Sequence, residues 1–168
     1  MAQTKSKFEL LRDKHILTIL DGDMDFGSLE IDGIDSGITI SMPYLSGPML
    51  CNISNKFGLS VTYSRSGGAQ SRWVYLDDLL VHCIKNNNES NLISFLFSKA
   101  QFVDKLRGQS PKIIEFAYSH IVSKVITEIN SILYFGGNEL AKVGTAFVVR
   151  KIGTTVTVIA PSAKIIDR

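Results

Sequence analysis

Apolar residues recur along this chain with two different periods, and the switch between them divides it into β, helical and β parts. Residues 8–20 (FELLRDKHILTIL) place Phe8, Leu11 and His15 three to four positions apart, with apolar positions continuing at roughly that spacing, which predicts a short helix. Asp21 to Gly27 is rich in turn formers. Leu29, Ile31, Ile34, Ile38 and Ile40 follow in β-type runs punctuated by Gly33 and Gly37, with Asp35-Ser36-Gly37 as the candidate hairpin turn.

The middle of the chain carries helical spacing. Ser46 can cap a helix over 47–57, with Leu50, Ile53 and Phe57 on one stripe and Gly58 at the C′ position. A flexible loop spans Ser64 to Arg72. A helix over about 74–85 follows, with Leu76, Leu79, Leu80, Cys83 and Ile84 on one face, ended by Asn86-Asn87-Asn88. Another helix starts at Ser90 or Asn91, turns Leu92, Ile93, Leu96, Phe102, Val103 and Leu106 inward, and stops at Gly108. Ser110-Pro111 is an N-cap and N1 pair for a long helix carrying Ile114, Ala117, Ile121, Val125, Ile129 and Leu133. That helix ends at Gly136-Gly137. Three runs rich in Val, Ile and Thr then follow: 139–143, 146–152 and 155–159, separated by Gly144 and Gly153. The expected architecture is one α+β domain over residues 1–168, with four to five central helices flanked by an N-terminal β-hairpin and a C-terminal antiparallel β-meander.

Composition agrees with this reading. The chain has 168 residues, 45% hydrophobic and 20% charged, as in an ordinary globular domain that needs no disulfide or metal to hold it. Cys51 and Cys83 sit in apolar surroundings, and two thiols without a secretory segment point to a reducing, cytoplasmic compartment. No stretch approaches the roughly 18 apolar residues of a membrane span. The net charge of +2 is too small to imply nucleic acid by itself. It is unevenly spread: residues 1–84 carry 7 Lys/Arg and 10 Asp/Glu, and residues 85–168 carry 11 and 6. A solvated surface explains that asymmetry, as does one acidic and one basic face.

Each chemical motif has a plain structural alternative. Asp21-Gly-Asp23-Met-Asp25 starts like a calcium loop, but the sixth position is Phe26 and the twelfth Asp32, where Gly and Glu are needed. Gly33-Ile-Asp35-Ser36-Gly37 puts Asp at the centre where a nucleophile elbow needs Ser. His15, His82 and His120 fall on predicted helices without ligand partners at a suitable spacing, and no metal or cofactor is expected. No catalytic motif is present, and the chain reads as a binding module rather than an enzyme.

Two places suit binding. The Arg65–Trp73 loop joins Arg65 and Arg72 to glycines, serines and the aromatics Tyr63, Trp73 and Tyr75. That combination suits phosphate, carboxylate or a base. Alternatively, Trp73 anchors the following helix and Arg72 pairs with Asp77 or Asp78. Lys142, Arg150, Lys151 and Lys164 decorate the C-terminal strands, either as the wet face of a sheet or as a basic wing against nucleic acid.

Four stretches resemble one family together: Met42-Pro-Tyr-Leu-Ser-Gly-Pro48, Ser71-Arg-Trp-Val-Tyr-Leu-Asp-Asp-Leu-Leu80, Ser94-Phe-Leu-Phe-Ser-Lys-Ala-Gln-Phe102 and Ile129-Asn-Ser-Ile-Leu-Tyr-Phe-Gly-Gly-Asn-Glu-Leu140. Over roughly residues 40–152 the chain is similar to the N-terminal region of bacterial abortive infection family proteins. The resemblance implies a role in antiphage defence and a helical C-terminal domain after Arg168. Some such helical domains are ribonucleases of the HEPN type, which use Arg followed by His five to seven positions later. No such pair occurs in this chain, so effector chemistry is expected outside it. The resemblance implies a protein partner, either the chain's own effector domain or a phage protein. Nucleic-acid binding with winged-helix-like logic and homo-oligomerisation remain open beside it, as does an enzyme with an unrecognised site.

Overall fold

A computed structural model of the chain describes residues 8–63 and 70–154. The described fold is α+β: five helices, with one antiparallel hairpin between the first and second helices and another after the fifth. The helices are α1 (Lys14–Leu20), α2 (Gly47–Lys56), α3 (Arg72–Lys85), α4 (Glu89–Leu96) and α5 (Pro111–Leu133). The strands are β1 (Ser28–Ile31), β2 (Ile34–Thr39), β3 (Asn138–Val143) and β4 (Ala146–Lys151). One apolar cluster runs through all of them, from Leu29 and Ile38 of the first hairpin to Leu140, Phe147 and Val149 of the second.

Local chemistry sets most boundaries. Ser46 and Ser110 cap α2 and α5 by accepting from the amides of Met49 and Ile113, with Pro in the first turn of each helix. Ala117, Ile121, Val125, Ile129 and Leu133 are fully buried along α5. Asn87 and Gly58 take the left-handed conformation after α3 and α2.

Several expectations need correction. Residues 8–20 do not form one helix: a 3-10 turn, Leu10–Arg12, precedes α1, and Asp13 accepts from the His15 amide to start α1 afresh. His15 is exposed, and Ile16, Leu17, Ile19 and Leu20 form the buried face instead. The hairpin turns at Asp32-Gly33, both at positive φ, with Ile31 opposite Ile34. Those angles match the twist of the strands, whereas Asp35-Ser36-Gly37 lies inside β2. It forms an irregularity there: Gly37 has positive φ, Ser36 Oγ donates to the Leu29 carbonyl at 2.6 Å, and the register shifts between Ser28 and Glu30. The helix expected after Ser90 breaks at Phe97-Ser98 into α4 and a short 3-10 segment, Lys99–Phe102. Val103 is consequently 57% exposed rather than inward. The third C-terminal run, 155–159, lies outside the described residues.

Side chains blunt the second hairpin. Asn130 of α5 receives the Leu140 amide on Oδ1 at 2.6 Å and donates Nδ2 to the Leu140 carbonyl at 3.0 Å, completing both backbone groups of that residue as a strand would. On β4, Ser94 Oγ accepts from the Phe147 amide and Ser90 Oγ donates to its carbonyl, each at 2.8 Å. Phe147 then stacks on Phe97, with ring centroids 4.9 Å apart. An edge served in this way offers less template for another chain.

Candidate functional site

The binding residues predicted around the start of α3 occupy very different surroundings. Arg65 lies outside the described residues. Arg72, the first residue of α3, is largely covered and is built into the fold. Its Nη1 donates to the carbonyls of Asp21 (2.8 Å) and Leu45 (2.7 Å), and its Nη2 to Asp23 Oδ1 (3.0 Å). The guanidinium also lies over the Tyr44 ring, 4.0 Å from its centroid. Arg72 therefore clasps the end of α1, the 41–46 segment and the start of α3. The expected partners Asp77 and Asp78 are not the ones it takes; Asp77 instead receives a two-pronged bond from Arg12, at 2.8 and 2.9 Å. Tyr75 is buried, its hydroxyl accepts from the Gln70 amide, and its ring meets Tyr63. Trp73 is half-buried, with Lys14 Nζ 4.9 Å from its ring centroid.

The clasp has an electrostatic cost. Asp21 is 2% exposed, and burial pushes its carboxyl up to about 6, against the opposing pull of Arg72 and the Asp23 amide. Gly22 beside it has positive φ, and a Cβ there would stand 2.4 Å from the Pro43 carbonyl oxygen. Asp21 and Asp23 of the calcium-like run are thus turned towards Arg72, while Asp25 accepts from the Gly27 amide. Among the described residues no three His, Cys, Asp or Glu side chains converge as a metal would need.

The basic residues of the second hairpin are spread along it. Arg150 Nε donates to Glu139 Oε2 at 2.9 Å across the ladder. Lys151 is exposed at the end of β4, opposite Asn138. Lys142 Nζ lies 5.8 Å from the Phe147 ring centroid. Lys164 lies outside the described residues. The histidines serve locally: His82 Nε2 bonds the Phe57 carbonyl at 3.1 Å, His120 faces Phe116, and His15 is exposed.

Two features escaped the sequence reading. The first is a cleft of about 470 Å³ where the 22–25 turn, the 39–44 segment and the 101–105 segment meet. Its floor holds buried Met42 and Ser41, with Met24 beside them, and Met49 and Tyr44 stand at its rim. Lys105 enters the wall, donates Nζ to Ser41 Oγ at 3.1 Å, and has its ammonium pKa lowered by burial, with Asp25 opposing. The second is an aromatic pair after α5, Tyr134 and Phe135, 65% and 84% exposed and set edge to face 5.8 Å apart. Ile152, also exposed, has its amide bonded to the Gly137 carbonyl, two residues past Phe135. Two successive aromatics cannot both point inward from one helical turn, and that was the available signal. The cleft had none, because its parts come from three separate loops.

No family model matches the chain, and no curated protein or solved structure does either. Among the described residues no helix is long and apolar enough to cross a membrane.

Proposed function

We propose that this chain is a non-catalytic recognition module of a bacterial antiphage defence protein of the abortive-infection type, and that it engages a protein partner through Tyr134 and Phe135. The defence assignment rests on the resemblance of residues 40–152. The recognition surface rests on one observation: two adjacent aromatic rings, Tyr134 and Phe135, stand in solvent directly after α5, whose Leu133 is fully buried. Large exposed apolar side chains grouped together are costly in water and mark contact surfaces. Arg72, Tyr75 and Arg150 all hold parts of the fold together, which favours protein contact over nucleic-acid contact through those side chains.

Phage plating tests the reading. Cells expressing the complete reading frame are expected to lower plating efficiency for at least one phage. Phe135→Asp is expected to abolish protection while leaving the thermal melt of the purified chain unchanged. Equal protection by Phe135→Asp would reject the surface, and no restriction across a broad phage panel would reject the defence role.

A further inference from the structure

We infer that the cleft at Lys105 binds the carboxyl terminus of a peptide whose last side chain is apolar. The site is separate from the aromatic surface and does not depend on it. An ammonium has three donors, and Ser41 Oγ takes one of those of Lys105. By accepting from Lys105, Ser41 keeps its own O–H proton to donate. A cation and a hydroxyl, both set into the wall, thus face the cleft together. Their combined chemistry suits a carboxylate, which accepts from both, and the part-dried surroundings strengthen such bonds.

The remaining lining selects what accompanies the carboxylate. Met24, Met42 and Met49 offer thioethers, which adapt to irregular apolar groups, and Tyr44 adds a ring at the rim. The cleft's volume of about 470 Å³ lies within the range of small-ligand sites and accommodates two or three residues rather than an inorganic ion. Two carboxylates stand at the exposed rim. Asp104 is hydrogen-bonded to Arg107, and Asp25 Oδ1 is held by the Gly27 amide. Asp25 is close enough to interact with the Lys105 ammonium and so shares that cation with a bound carboxylate, and both acids favour donors, such as peptide N–H groups or a basic residue, farther up the chain.

Calorimetric titration of the full chain with Ac-Gly-Ser-Ala-Leu as its free acid is the test, with the C-terminal amide of the same peptide as comparison. The acid is expected to bind roughly tenfold or more tightly than the amide, as losing a charge-assisted bond implies. Lys105→Met is expected to remove that preference, and Lys105→Arg to retain most of it. The free dipeptide Ala-Leu separates the two sources of this chemistry: tighter binding than the blocked peptide assigns the cleft to small peptides, and weaker binding to protein termini. Equal affinity for acid and amide, or no heat at millimolar peptide, would overturn the inference. That comparison needs only the unmodified chain, so it holds even where Lys105→Met fails to fold.

Discussion

Asp21 carries the most unusual chemistry of any single residue described. It is an almost fully buried acid beside a cation, yet burial outweighs the cation and its carboxyl is pushed up to about 6 from 3.8. Between those values the folded chain holds a proton that the unfolded chain has released. Its contribution to stability is therefore full below about pH 4 and is lost as the pH rises through about 6, by up to about 3 kcal/mol. Asp21→Asn should remove this dependence: relative to wild type, the variant gains stability steadily from pH 4 to 7 in urea titrations. A constant difference across that range would contradict the assignment. Its partner Arg72 donates three bonds to groups 27 to 51 residues away. Arg72→Ala should lower stability by about 2–4 kcal/mol, with Arg72→Lys recovering only part of the loss because an ammonium lacks the fork. An unchanged denaturation midpoint would instead leave Arg72 free to serve a ligand.

At the scale of elements, what was legible was what is local. Ser46, Ser110 and the prolines after them announce their helices because a cap bonds an amide three residues away. Asp32-Gly33 carried the stronger hairpin signal, and Asp35-Ser36-Gly37 carried the same turn chemistry to a different end, an irregular strand. The break at Phe97-Ser98 was hidden because apolar residues on both sides of it keep helical spacing. The clasp at Arg72, the Arg12–Asp77 pair and the Lys105–Ser41 bond join residues 27 to 65 positions apart, and no periodicity encodes them. Asn130 joins α5 to the second hairpin, since its amide completes Leu140 of β3. Asn130→Ala leaves a strand amide and carbonyl without that partner and should cost about 2 kcal/mol. Amide exchange should quicken most at Leu140 and its neighbours, whereas a loss spread evenly over the molecule would argue against a local role.

Taken whole, the molecule sets its chemistry and its contact surface apart. The buried polar groups and the Arg72 clasp secure the first half of the chain, while the two adjacent exposed aromatics, Tyr134 and Phe135, follow α5 in the second half. The proposed protein contact rests on the two aromatic rings left in water, Tyr134 and Phe135, while Arg12, Arg72 and Arg150 bond within the fold. The direct test is a photo-activated crosslinker in place of Phe135, in cells expressing the complete reading frame, with Ile34, 71% exposed on β2, as the control position. A discrete, protease-sensitive adduct from position 135 that is absent from position 34 is the predicted result. Adducts that disappear on nuclease treatment, or identical adducts from both positions, would contradict the account.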